Sequence, residues 1–236
     1  MTRARLRVLG FAFLCLALGA FAFLQLDRDR AARPRSNLLL LTSLPLMFGE
    51  DFSIQGGGSP ALKALQSQYR VEPISVTSSA ELAKGRLLLM AQPIAQSAEN
   101  LVALDQWVEG GGKLLLLADP MLEWPSKRPL GDPLRPPAMF MDTGLLAHWG
   151  LRLDTPDQFG ERKSELAGSN ILTASPGSLH GGCTISADGI VARCRLGKGR
   201  ATIVADADLL NTTDLGDGAS ENLKAVLAEL AQLKSD

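Results

Sequence analysis

The chain has 236 residues, 46% apolar and 21% charged, with a formal net charge of −1. That length suits one large domain or two small ones, and high apolar content with low net charge excludes intrinsic disorder. The charge is unevenly spread: residues 1–36 hold seven arginines against Asp27 and Asp29, which leaves 17 basic and 23 acidic side chains in residues 37–236. An acidic body without a basic stripe argues against nucleic acid as a partner, because such binding draws on phosphate neutralisation. The low aromatic content, 5%, removes base-stacking platforms, and three cysteines with two histidines are too few for a zinc cluster.

Val8–Leu24 is an unbroken run of apolar residues and glycines, extended by Gln25-Leu26. As a helix it covers roughly 26–28 Å, close to a hydrocarbon core of about 30 Å. Arg3, Arg5 and Arg7 precede it and favour a cytoplasmic N-terminus. The rival is a cleaved signal peptide, for which Ala20-Phe21-Ala22 is the one small-x-small site, but the run exceeds the usual apolar core of about 7–15 residues. The expectation is an uncleaved anchor and basic linker over 1–36 and an extracytoplasmic α/β domain over 37–236.

Beyond the linker, strand and helix patterns alternate. Asn37–Thr42 (NLLLLT) reads as a strand buried on both faces. A loop with Pro45 and Gly56-Gly57-Gly58 leads to Ser59-Pro60, an N-cap and first helical residue, with Leu62, Leu65 and Tyr69 expected on one helix face. Val71–Val76 and Arg86–Ala91 are the second and third strands. Ser97 opens a helix with the apolar stripe Leu101, Leu104, Trp107 and Val108; Gly110-Gly111-Gly112 stops it, and Lys113–Ala118 is a fourth strand ending at Asp119-Pro120. Solid apolar strands separated by helices predict βαβ units and a doubly wound, mainly parallel sheet.

Residues 120–137 carry six prolines and predict an irregular excursion over the sheet edge. Thr143–Trp149 reads as a short helix, and the polar, aperiodic stretch 155–182 as loop. Asp188-Gly189 is a two-residue hairpin turn that sets Ile185 opposite Ala192 and Cys183 opposite Cys194. Ile185, Ala187, Ile190 and Ala192 then share an apolar face, while Ser186 and Arg193 point away. Gly197-Lys198-Gly199 is another turn, Arg200–Ala205 a core strand running into Asp206 and Asp208, and a helix from Ser220 aligns Leu223, Val226, Leu227, Leu230 and Leu233.

Motifs for chemistry are scarce. GGGK at 110–113 has neither the spacing nor the hydroxyl of a phosphate loop, there is no GxSxG elbow, and no cysteine follows a core strand. His148 and His180 have no carboxylate or cysteine at triad spacing and read as ordinary surface histidines. Gly56, Gly57, Gly58 and Ser59, ahead of a helix, could offer amides to an anion, or simply form a flexible loop. Asp119, Asp206 and Asp208 sit where core strands end; together they could hold a divalent cation, or act as caps and turn residues. Cys183 and Cys194, directly opposed on the hairpin, fit a disulfide, with two buried thiols as the alternative.

Two stretches carry a resemblance: LLLMAQPIAQSAENLVALDQWVEGGGKLLLLADP (87–120) and GKGRATIVADADLLN (197–211), followed by a helix entered through Asn222. The chain resembles the GldG-type auxiliary proteins of ABC transporters, also called gliding-motility or uncharacterised ABC transport system proteins, over roughly residues 37–236. The resemblance implies a flavodoxin-like or class I amidotransferase-like α/β domain without the catalytic cysteine, membrane-tethered and extracytoplasmic; this chain departs from the larger members in being short with one spanning run, and the expectation is a single-pass anchor in a bacterial inner membrane with the domain in the periplasm. It implies a non-enzymatic accessory role beside an ABC permease and ATPase, with no cofactor. The alternative is a metal-dependent envelope hydrolase using the strand-end carboxylates.

Overall fold

The computed structural model describes residues 35–47 and 58–235. The apolar run Val8–Leu26 lies outside them; among the described residues no helix is long and apolar enough to cross a membrane.

Leu38–Leu41, Leu87–Ala91 and Leu114–Ala118 are all buried, so each run must lie in a sheet covered on both faces. The strands are β1 (Ser36–Thr42), β2 (Tyr69–Pro73), β3 (Leu87–Ala91), β4 (Lys113–Leu117), β5 (Leu151–Asp154), β6 (Glu161–Leu166), β7 (Ser169–Ala174), β8 (Ser178–Gly181), β9 (Thr184–Ile185), β10 (Val191–Leu196) and β11 (Gly199–Val204). The helices are α1 (Pro60–Gln68), α2 (Ser79–Leu82), α3 (Ala98–Glu109), α4 (Leu145–His148) and α5 (Asn222–Ser235). Seven strands form one mixed sheet in the order β2-β1-β3-β4-β11-β10-β9. The first five run parallel, and β10 and β9 add an antiparallel edge. β5 pairs with β8 and β6 with β7 as separate antiparallel ribbons.

The two-residue period of the strands sorts their side chains into two layers. Leu38, Leu40, Leu89, Leu115 and Leu117 pack with Leu62 and Leu65 of α1 and with Val226 and Leu230 of α5. Leu39, Leu41, Leu88, Met90, Leu114 and Leu116 pack with Leu82, with Leu104 and Val108 of α3, and with Leu146 and Trp149. The chain is thus an α/β fold with helices on both faces of a mainly parallel sheet.

Local chemistry sets the helix ends. The hydroxyls of Ser59 and Ser97 accept from the amides of Leu62 and Asn100, at 3.1 and 3.3 Å, and Pro60 fills the first helical position. After α3, a Cβ on Gly112 would lie 2.3 Å from the Trp107 ring, so only glycine lets the chain pass there into β4.

Three expectations need correction. β2 begins at Tyr69 rather than Val71, and Tyr69 therefore belongs to the strand and not to the helix face. The junction QSQYRV contains no glycine or proline to mark it, and α1 passes directly into β2. The stretch 155–182 is not loop: it contains β6, β7 and β8. β6 buries only Ser164 and Leu166, which leaves almost no apolar alternation to read. The Asp188-Gly189 hairpin has the expected register, Ala192 opposite Ile185 and Arg193 opposite Thr184, with Gly189 at φ 76°. Ile190, however, precedes the strand and packs in the layer opposite to that of Ala192.

Candidate functional site

The strands β4 and β11 lie side by side, so the residues that follow them meet at one edge of the sheet. There the fold brings Asp119, Asp206 and Asp208 together. Asp119 Oδ1 accepts from the amide of Met121 at 2.8 Å, and its Oδ2 from those of Ala207 at 2.8 Å and Asp208 at 3.4 Å. Asp206 accepts from Leu209 at 2.7 Å and Ala174 at 2.9 Å, one amide on each oxygen. Asp208 Oδ2 accepts from the amide of Glu123 at 2.7 Å. These carboxylates tie down the strand ends and the chain that crosses them, the capping alternative of the sequence reading. No group of three or more histidine, cysteine, aspartate or glutamate side chains among the described residues is arranged to hold a metal ion.

Burial raises all three acids. Asp119 is pushed up to about 6, mainly by desolvation and against three backbone hydrogen bonds. Asp208 is pushed up to about 7 by desolvation and by the charges of Asp119, Glu123 and Asp214. Asp206, fully buried, is raised well above the usual carboxylate range by desolvation, then by repulsion from Asp119 and Asp208.

Sequence reading missed the hub of this edge. Gln92 follows β3, is fully buried, and sits at φ 42°, left-handed backbone that a side chain seldom adopts. Its Oε1 accepts from the amide of Asp119 at 3.0 Å, and its Nε2 donates to the carbonyls of Asp119 at 3.1 Å and Pro137 at 3.0 Å. Its own carbonyl accepts from the Ser43 hydroxyl. A strained turn between strand and helix is where a nucleophile elbow would present a serine or cysteine; here the side chain is a carboxamide folded against the next strand. Gln92 directly before Pro93 was the available signal.

The other candidates fall elsewhere. Gly56 and Gly57 lie outside the described residues. Gly58 stands at φ 74° before Ser59, whose hydroxyl and amide are engaged with Leu62 and Leu46. Ser59 follows β1, and β3 separates that strand from β4. Cys183 and Cys194 are joined as a disulfide with their Cα atoms 4.8 Å apart, on the far edge of the sheet. His180 Nε2 lies 3.3 Å from Ser178 Oγ and 3.4 Å from Asp154 Oδ2, but both contacts use one ring nitrogen. A relay needs the carboxylate on the other nitrogen, so this trio is no triad. A buried acid also escaped the sequence reading: Glu229, on the apolar face of α5, accepts from Arg193 at 2.6 and 3.0 Å and from Thr202 at 2.7 Å.

Fold and edge together define an α/β domain of the doubly wound kind whose strand-end polar groups are engaged with its own backbone. Residues 36–158, just over half of the chain, match the family described as ABC-type uncharacterized transport system, and the chain belongs to that family, whose members are auxiliary components of ABC-type transport systems. No curated protein matches the chain. Among solved structures it is similar to the exo-beta-1,4-mannosidase Op5Man5 from Opitutaceae bacterium strain TAV5, at 15% identity and a TM-score of 0.52, over 90% of this chain and 38% of that one. It is also similar to the beta-galactosidase from Rahnella sp. R3, at 12% identity and a TM-score of 0.50, over 86% of this chain and 32% of that one. The chain thus spans less than two-fifths of either glycosidase, and the likeness is one of fold.

Proposed function

We propose that the chain is a membrane-anchored, non-enzymatic accessory subunit that binds the permease and ATPase of an ABC-type transport system. Its α/β domain would lie on the periplasmic side of a bacterial inner membrane, held there by Val8–Leu26. The observation that carries this reading is Gln92. The strand order β2-β1-β3-β4-β11 is that of flavodoxin-like sheets, whose sites lie at the strand ends. In this chain the strained turn at that edge holds a carboxamide bound to Asp119 and Pro137, and the neighbouring aspartates bind backbone amides.

The excursion over the same edge supports a binding role. Leu122, Trp124 and Phe140 pack onto the core, while Leu130, Leu134, Met139 and Met141 are exposed, Leu130 at 83%. A fastened loop that presents large apolar side chains fits a protein partner. The double variant Leu130→Asp/Met139→Asp should keep the melting temperature of the parent and lose co-purification with the permease and ATPase that this reading requires. Unchanged co-purification would sink the proposed surface. A divalent cation that raised the melting temperature would instead favour the metal-dependent envelope hydrolase.

A further inference from the structure

A cavity of about 560 Å³ lies between β10, β11 and the C-terminal half of α5. That volume suits a small ligand, for which sites of about 300–1,000 Å³ are usual. Glu229, which lines it, is a carboxylate in an apolar setting. It stands on the face of α5 that carries Val226, Leu230 and Leu233, and its side chain is 2% exposed. Its Oε1 accepts from Arg193 Nε at 3.0 Å and Thr202 Oγ1 at 2.7 Å, and its Oε2 accepts from Arg193 Nη2 at 2.6 Å. Burying an acid for such a pair costs desolvation that the attraction only partly returns, so the pair does little for stability. What it does is fix a guanidinium. Arg193 is 42% exposed and lines the cavity, and the pairing through Nε and Nη2 leaves Nη1 outside the bond.

Arg195 follows two residues on, so the period of the strand puts both side chains on one face of β10, with Cα atoms about 6.6 Å apart. Arg195 is exposed, lines the same cavity, and forms no ion pair or side-chain hydrogen bond with another described residue. Arg200, opposite it on β11, also lines the cavity but has a partner of its own. The cavity is therefore offered two guanidinium groups, one fixed and one free. Among the described residues Glu229 is the one acid of the lining, and its charge is met by Arg193. Much of the remaining wall is apolar: Trp149, Leu196, Leu233 and the disulfide of Cys183 and Cys194. We infer that this cavity binds a small organic acid, its carboxylate or phosphate held by Arg193 and Arg195 and its hydrocarbon part against Trp149 and Leu233. Guanidinium groups match the paired oxygens of such oxyanions, and one that is already fixed loses little freedom on binding. The site shares no residue with the partner surface on the excursion and does not depend on it.

The test uses the full chain in phosphatidylcholine vesicles and phenylglyoxal, which modifies accessible guanidinium groups, with the modified residues located by peptide mass. Arg70, exposed on β2 at the other edge of the sheet, is the internal reference. Against sodium chloride of equal ionic strength, saturating hexanoate or inorganic phosphate should slow Arg195 about fivefold and leave Arg70 unchanged. Hexanoate should act at about a tenth of the concentration of acetate, because its added methylenes reach the apolar wall. Hexylammonium, with the same chain and the opposite charge, should give no protection. The more effective of phosphate and acetate identifies the head group. Arg195→Gln, at an exposed position, should melt like the parent and lose the rise in melting temperature that hexanoate gives the parent. Arg195 rates that neither oxyanion changes, equal slowing of Arg70, or protection by hexylammonium would overturn the site. Equal potency of hexanoate and acetate would overturn the apolar part of the assignment.

Discussion

Asp208 and Asp206 look alike in sequence, two residues apart, yet substitution should move them in opposite directions. Asp208 engages one amide, that of Glu123, and asparagine can accept the same bond through its carbonyl while removing a charge from a crowded, buried group. Asp206 uses both oxygens on amides, so asparagine would turn an N–H toward an N–H, at a cost of about 1–3 kcal/mol. The cluster also sets a pH dependence. Aspartates titrate near 3.9 in an unfolded chain, whereas Asp119 and Asp208 are raised to about 6 and about 7, and burial raises Asp206 as well. Between about pH 4 and pH 7 the folded state therefore holds protons that the unfolded chain has released. The stability they contribute is complete below about pH 4 and is lost as pH rises through about 7. Thermal melts from pH 4.5 to 8 should show this loss, and Asp208→Asn should be more stable than the parent at pH 8 and match it near pH 4. A variant that melts like the parent at pH 8 would contradict the raised value.

Elements differed in how much of them the sequence revealed, and the reason is burial. β1, β3, β4 and β11 are covered on both faces, so NLLLLT, RLLLMA, KLLLLA and RATIVA read as strands without help from context. β6 and β7 form a ribbon whose first strand is nearly all polar, and its turn uses Ala167 and Gly168, at φ 52° and 78°, in place of an Asn-Gly signal. The positions of Asp119, Asp206 and Asp208 were legible, but their role was not. Asp119 binds amides 88 and 89 residues away, and Gln92 reaches Asp119 across 27 residues and Pro137 across 45. The hairpin of β9 and β10 was the most legible pair, because the Asp188-Gly189 turn alone sets its register. Its disulfide closes a loop over a separation of 11 residues, for which chain entropy gives about 2–3 kcal/mol. Cys183→Ala/Cys194→Ala should lower stability by no more than that in denaturant titrations, with the sheet otherwise retained. In protein taken from the periplasm, alkylation without reductant should leave both domain cysteines unmodified; two alkylated thiols would refute the bond and count against that location.

The whole molecule separates its charge along the strands in a way that no window of sequence displays. Arg70, Arg86, Lys113 and Arg200 lie up to 130 residues apart, and the sequence reading found no basic stripe because only the parallel sheet gathers them at one edge. The same sheet gathers the acids at the other. That arrangement depends on β4, which lies between β3 and β11 and joins the first βαβ units to the C-terminal strands and α5. Leu115 is fully buried at its centre, within the layer that includes Val226 and Leu230. Leu115→Asp would put an unpaired charge where no side chain or water can answer it, at a cost of about 4 kcal/mol or more. Against a total stability of about 5–15 kcal/mol, that loss should unfold the domain or leave it marginal. Leu130→Asp, the same change of chemistry on the exposed excursion, should leave the melting temperature within a degree or two of the parent's. Circular dichroism melts of the two variants read both outcomes, and a parental melting temperature for Leu115→Asp would mean that β4 is not the closed centre of the sheet.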